Sequence, residues 1–204
     1  INATVGREAF RKGVQAYMRA HAYGNTVDSD LWSEVQKAAG KPILEIEHDL
    51  TRQAGVPLIR AVFEKGSVIL REDRFAADPA TIIGVAPQSW LLPIAVQSLA
   101  GGESGGKPEI GLLKAPARFS VAVPALINAG QKTYGRVLYP AAAIAPLSAA
   151  LPKLAAVDQY GLLSDAPALG FGGYTSATNM LPWMHPFPES AGPMVGAAGP
   201  RPVG

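Results

Sequence analysis

Apolar residues near the start of the chain repeat at helical spacing. A stripe at i, i+4, i+7, i+8 and i+11 is formed by Phe10, Val14, Tyr17, Met18 and His21. Side chains at these spacings share one face of a helix, so the pattern predicts an amphipathic helix that ends in the turn at 23–26.

Two further helices are predicted before residue 55. The first has a buried face that includes Leu31, Trp32 and Val35, with Asp28 or Ser29 as its N-cap and Gly40 just after its last turn. The second follows Pro42 and has its apolar stripe at Ile43, Ile46 and Leu50.

The middle of the chain has short apolar runs separated by Gly and Pro turns. These runs predict strands at 57–63, 67–71, 90–96, 119–123, 125–128 and 134–139, with a Gly-rich hairpin tip at 100–107. Such spacing is typical of a small antiparallel β-sandwich. Pro93 lies inside one run and predicts an edge position or a bulge there, since proline lacks a backbone donor.

From residue 141 the pattern becomes helical again, with a break at Pro152. Ser164 or Asp165 is the expected N-cap of another helix, with Pro167 in its first turn. Residues 180–204 are rich in proline and glycine and predict a disordered tail.

The amino-acid composition mainly excludes classes of structure and partner. Apolar residues make up 48% of the 204 residues, which is enough for a real core, and the net charge of +2 is too small to indicate a nucleic-acid partner. No apolar run approaches the roughly 20 residues of a membrane-spanning helix. The absence of cysteine excludes disulfides and thiolate metal sites. The sequence assigns no cellular location.

Candidate chemistry is sparse. No two of His21, His48 and His185 are four residues apart, so no helical metal pair exists, and neighbours in the run 47–49 point about 100° apart on a helix. The carboxylate pairs Asp28/Asp30 and Glu72/Asp73 are interpreted as structural. The Gly-rich run 101–107 has Pro108 where a phosphate-binding loop needs Ser or Thr. We therefore predict no catalytic, cofactor-binding or metal residue in this chain.

Longer segments resemble a known family. They are the pattern G-x-x-x-F-x-x-G at 6–13, H-x-Y-G-N at 21–25, D-L-W at 30–32 and T-x-Q-x-G-x-P at 51–57. Further matches are W-x-x-P at 90–93, N-x-G at 128–130, [YF]-x-R-V-x-Y at 134–139, and the run 158–166. In this order they resemble the part of aminopeptidase N and puromycin-sensitive aminopeptidases, which are gluzincin zinc peptidases, that follows the active site.

The resemblance implies an α+β multi-domain fragment. Residues 1–53 would be the helical end of a thermolysin-like catalytic domain, and residues 54–140 the β-sandwich. Residues 141–179 would begin an α-helical repeat domain, before the disordered tail at 180–204.

The resemblance also implies a function. The intact parent removes N-terminal residues from peptides with a zinc ion held by an H-E-x-x-H motif, which this chain lacks. We expect zinc in the parent but none in this chain. The chain would supply scaffold and inter-domain packing to the upstream catalytic domain, would meet peptides only through the parent, and would be inactive alone. The alternative is a stand-alone β-sandwich that binds a partner.

Overall fold

A computed structural model describes residues 1–86, 88–99, 106–114 and 116–184. Within them the chain forms four helices, then two sheets, then two more helices. The helices are α1 Asn2–Val5, α2 Arg7–Ala20, α3 Asp28–Ala39, α4 Ile43–Thr51, α5 Ala141–Ala150 and α6 Ala156–Phe171. The strands are β1 Val56–Glu64, β2 Ser67–Phe75, β3 Leu92–Ser98, β4 Glu109–Leu113, β5 Ala117–Phe119, β6 Ala125–Ile127 and β7 Arg136–Leu138.

The first helices form where the apolar stripes predicted them. Gly40 ends α3 in the left-handed conformation at φ 63°, as expected for a residue after the last turn. The predicted N-cap is wrong, because Val27 holds that position and its N–H donates to Asp30 Oδ2 at 3.0 Å. A carboxylate in the first turn thus satisfies the exposed donor by reaching back.

α2 packs on α3 through Gly13, which is the buried residue of α2. A Cβ placed on Gly13 would lie 2.5 Å from the Cα of Val35, closer than two carbon atoms can approach without displacement. The absence of a side chain at Gly13 therefore sets how closely the two helices approach.

The strands form two sheets, in the orders β5-β2-β1-β7 and β4-β3-β6. β1 and β2 form an antiparallel hairpin around Gly66, with Glu64 opposite Ser67. The expectation of a purely antiparallel sandwich is wrong at one pair, because β7 runs parallel to β1 with Leu58 opposite Arg136. The chain passes through the second sheet before β7, and such a long crossover allows a parallel partner.

β4 and the position of Pro93 also differ from the predictions. β4 lies between two predicted runs and was missed, since glycine interrupts its short apolar pattern. β3 is the centre of its sheet, yet β6 pairs only with residues 96–98, so Pro93 lies beyond the end of β6 and opposite Leu112 of β4. On its other side the Pro93 carbonyl accepts a hydrogen bond from the Thr133 hydroxyl. Because no strand pairs with β3 at this position on that side, the lack of an N–H on Pro93 removes no hydrogen bond between strands.

The predicted break at Pro152 is confirmed, since a 3-10 turn at Leu151–Lys153 separates α5 from α6. The predicted helix start at residue 164 is wrong, because α6 is continuous and includes Ser164 and Asp165. The Asp165 carboxylate instead accepts hydrogen bonds from the Val137 N–H and the Arg136 guanidinium, both at 2.9 Å. Asp165 therefore binds donors on β7 and does not cap a helix.

Two groups of buried side chains hold the chain together. The larger, the sandwich core, joins the facing sides of both sheets to α5 and α6 and includes Ile59, Leu70, Trp90, Leu92 and Leu147. The smaller, the helical core, consists of Val35, Ile43, Ile46 and Leu91, with half-buried side chains of α1, α2 and α3 around it.

The segment predicted to be disordered begins with ordered residues. Leu181–Met184 form a 3-10 turn, and Trp183 is buried in the sandwich core. This indole provides enough apolar area to order its short segment, in spite of the neighbouring prolines. The rest of the predicted tail, residues 185–204, lies outside the described residues, as do residues 100–105 of the predicted hairpin tip.

Candidate functional site

The side chains of the run 47–49 diverge, as helix geometry requires. Glu47 Oε1 accepts a hydrogen bond from the Thr51 hydroxyl at 2.6 Å, whereas the Asp49 carboxylate faces the start of β3. His48 is 65% exposed and places Nδ1 3.4 Å from Asp49 Oδ1. Of the other histidines, His21 stacks on Tyr17 at 5.3 Å, and His185 lies outside the described residues.

The donor set does not fit a zinc ion in the part of the chain that the structure describes. Within it, no three His, Cys, Asp or Glu side chains come together in a group that could hold a metal. A zinc site needs three or four such ligands around one point. No step of a reaction is therefore assigned to a metal held by these residues.

In each of the two predicted carboxylate pairs, Asp28/Asp30 and Glu72/Asp73, the two side chains bind different partners. Asp28 Oδ2 accepts from Arg52 at 3.1 Å, while Asp30 holds the Val27 N–H. Glu72 and Asp73 are neighbours on β2 and so point to opposite faces of the sheet. Asp73 is exposed and binds the Arg60 guanidinium at 2.8 Å on the outer face.

Glu72 points inward, and it binds the same chain segment as Asp49, the segment that leads into β3. Glu72 Oε1 accepts a hydrogen bond from the Trp90 N–H at 2.8 Å. Asp49 Oδ2 accepts from the next amide, the Leu91 N–H, at 2.7 Å. We call these four residues the junction, because two carboxylates from different elements hold two consecutive amides.

The two amides of the junction precede side chains that enter different cores. The Trp90 ring is buried in the sandwich core, whereas the Leu91 side chain is buried in the helical core. Leu50 of α4 is half-buried and packs against both. The junction therefore joins the helices to the sheets.

The two carboxylates of the junction differ in how many hydrogen bonds they accept. The Asp49 carboxylate accepts a second hydrogen bond, from Gln53 Nε2 to Oδ1 at 2.5 Å. Glu72 Oε2 is buried and has no hydrogen-bond partner among the described residues. Burial is the largest cause that raises the pKa of Glu72 to about 7. The Trp90 hydrogen bond lowers this pKa, the Asp49 charge raises it, and the Lys114 charge lowers it.

Sequence reasoning placed residues 47–49 on a polar face of α4, which is wrong for Glu47 and Asp49 because both are buried. It interpreted Glu72 as structural without identifying its partner. A signal for Asp49 and Glu72 was present. Asp49 lies three residues after Ile46 on the apolar stripe of α4, and Glu72 continues the inward alternation of Val68 and Leu70 on β2. A charge on a buried face requires a partner, and here the partners are the backbone amides of residues 90 and 91.

The end of α2 presents an apolar surface. Met18 is 62% exposed, Tyr23 is fully exposed at a positive φ of 64°, and Val27 is also exposed. Elsewhere on the predicted stripe, Phe10 packs against the helical core. The stripe is therefore only partly covered by the described residues. None of the described helices has both the length and the hydropathy to cross a membrane.

Three of the four residues of the helical core lie in the part of the chain that matches a known family. Residues 1–50 match the family model described as the Peptidase family M1 domain. The chain is 26% identical over 192 residues to "Aminopeptidase M1-A" of Oryza sativa subsp. japonica, with 89% of this chain and 21% of the relative covered. It is 27% identical over 181 residues to "Tricorn protease-interacting factor F2" of Thermoplasma volcanium, with 89% and 22% covered.

The "Alanine/arginine aminopeptidase" of Saccharomyces cerevisiae is 27% identical over 183 residues, which cover 89% of this chain and 21% of the relative. The chain thus spans about a fifth of the length of the curated relatives it matches. The family match over residues 1–50 and these relatives show that the chain is similar to proteins of peptidase family M1.

Proposed function

We propose that this chain is the scaffold part of a zinc-dependent aminopeptidase that removes N-terminal residues from peptides. In this proposal residues 1–53 end the metallopeptidase domain, residues 54–140 are the sandwich, and residues 141–179 begin a helical domain. The match to the peptidase model over residues 1–50 supports the first boundary. The share of its relatives that the chain spans supports a role as a part of a larger enzyme.

The junction is the observation that carries the scaffold role. The residues matched to the peptidase model form the helical core, and Leu91 from the sandwich segment completes that core. The Asp49 hydrogen bond and the Leu91 side chain transmit the position of the helices to the sheets. A scaffold between a catalytic unit and later domains requires such a rigid connection.

The chemistry of the proposed enzyme belongs to residues outside this chain. Zinc in such peptidases polarises the scissile carbonyl and activates a water molecule, and this needs three protein ligands and an open position. The described residues hold no such group of ligands. We therefore expect this chain to bind peptides only through the remainder of the enzyme.

The test combines metal content with turnover on the purified full chain. Zinc is measured by mass spectrometry, and hydrolysis of alanine and arginine 4-nitroanilides is followed with and without added zinc. We expect substoichiometric zinc and no hydrolysis above the buffer rate. One tightly held zinc with turnover would refute the scaffold proposal.

Hydrogen exchange separates the scaffold from a stand-alone binding module. In the scaffold proposal the apolar end of α2 lacks its natural cover, so we expect the amides of α2 to exchange faster than those of β1 and β2. A free module would not need an uncovered stripe. Equal protection of α2 and the strands would favour the module.

A further inference from the structure

We propose that Glu72 and Asp49 form a proton-dependent clasp between α4 and the segment leading into β3. The clasp is closed when Glu72 carries a proton, and it is weakened when both carboxylates are ionised. It makes the attachment of the helices to the sandwich sensitive to pH.

The geometry places both acids against one short stretch of backbone. Each carboxylate accepts one hydrogen bond from the consecutive amides of residues 90 and 91, at 2.8 Å and 2.7 Å. Asp49 is buried, and its second oxygen is held by Gln53 at 2.5 Å. Glu72 Oε2 is enclosed and accepts no hydrogen bond from the part of the chain that the structure describes. Burial without a partner costs an ionised oxygen much more free energy than it costs a neutral, protonated carboxyl.

The remaining charges nearby do not neutralise Glu72. On α4, Glu45 forms an ion pair with Lys114 at the end of β4, and His48 contacts Asp49. Lys114 therefore has an acidic partner of its own, and it is more than half exposed. On β2, the Arg74 side chain lies beside Gly55, and no ion pair joins Arg74 to Glu72. Asp49 is the charge that faces Glu72 from α4.

The sign of the pH effect follows from linkage. The pKa of Glu72 is raised from 4.5 to about 7, so the folded chain binds more protons than the unfolded chain between these values. Stability from this group is complete below pH 4.5 and falls as the pH rises through the pKa of the folded state. Repulsion between Glu72 and Asp49 then acts on the clasp.

The first experiment measures the titration in the full chain. The side-chain carboxyl carbon of Glu72 is followed by NMR from pH 4 to 9, together with the amide signals of Trp90 and Leu91. We expect one midpoint near the raised pKa, shared by the carboxyl and both amides. A carboxyl midpoint at the ordinary value for glutamate, or amides that do not follow it, would overturn the proposal.

The second experiment uses E72Q, which keeps the acceptor for the Trp90 amide but carries no charge. The unfolding equilibrium constant is measured in urea at pH 5.5 and pH 8. In the wild-type chain we expect it to increase about tenfold more than in E72Q between the two pH values, as linkage with partial solvent screening predicts. The same pH dependence in both proteins would contradict the clasp.

Two control variants separate Glu72 from its neighbours. D73N removes the adjacent exposed carboxylate, which binds Arg60 on the outer face, and should retain the wild-type pH dependence. H48Q removes the imidazole that contacts Asp49 and should also retain it. If E72Q does not fold, D49N is informative, because removal of the Asp49 charge should lower the midpoint of Glu72. An unchanged midpoint in D49N would show that no clasp exists.

Discussion

Two adjacent leucines test whether the chain has two separable cores. Leu91 is 6% exposed and belongs to the helical core, while Leu92 is fully buried in the sandwich core. Leu91→Ala should destabilise the helices selectively, and Leu92→Ala should destabilise the sheets. The two substitutions share their chemistry and almost their position, so each is the matched control of the other.

The magnitudes follow from the surroundings of each leucine. A buried leucine truncated to alanine costs about 2–5 kcal/mol, depending on how well the site collapses. The helical core is small and is bordered by half-buried side chains that can move inward, so we expect about 2–3 kcal/mol for Leu91→Ala. The sandwich core encloses Leu92 on all sides, so we expect about 3–5 kcal/mol for Leu92→Ala.

Native-state hydrogen exchange is the assay, because it reports the opening free energy of each element separately. Leu91→Ala should lower the protection of α3 and α4 by about 2 kcal/mol or more and leave β1 and β2 nearly unchanged. Leu92→Ala should lower the protection of the strands. The idea of two cores is refuted if Leu91→Ala lowers the protection of helices and strands equally.

Three further substitutions test single contacts by urea unfolding. Gly13→Ala should destabilise the chain by about 1–3 kcal/mol in spite of the better helix propensity of alanine, because the new Cβ meets the backbone of Val35. Tyr139→Phe should cost about 1–3 kcal/mol, since the buried Ile127 N–H that donates to this hydroxyl at 2.8 Å would lose its acceptor. Asp165→Ala should cost about 2–4 kcal/mol, because the Val137 N–H loses its acceptor and the Arg136 guanidinium keeps only the Ser164 carbonyl. A change of less than about 0.5 kcal/mol in any of the three would contradict its contact, because substitutions outside such contacts stay within that range.

Local patterns predicted the helices well. The stripes of α2, α3 and α4 and the position of Gly40 depend on residues a few positions apart, and the helical geometry of such neighbours is nearly independent of the rest of the chain. The same holds for the β1–β2 hairpin, whose turn is set by Gly66. Failures occurred where a local preference competed with a distant partner. Asp165 has the chemistry of an N-cap, but two donors of β7 hold it inside α6.

The sequence pattern did not predict which strands pair or in which direction. Alternation predicts that a strand exists and which face is buried, but it does not encode the direction of a partner strand whose paired residues lie 78 positions away. The parallel pairing of β7 with β1 and the central place of β3 result from how the two sheets pack. Trp183 shows the same limit, because a single buried indole orders a segment whose composition predicts disorder.

The sequence by itself determined the family resemblance, the apolar stripes of α2, α3 and α4, and the β1–β2 hairpin. These properties depend on residue identity and short spacing, which the chain displays directly. Only the tertiary structure decided that Glu72 and Asp49, 23 positions apart, hold consecutive amides at 2.8 Å and 2.7 Å. The pKa of a carboxyl depends on its burial and on the charges around it in space. For this reason the junction became visible only when α4, β2 and the segment leading into β3 were seen together.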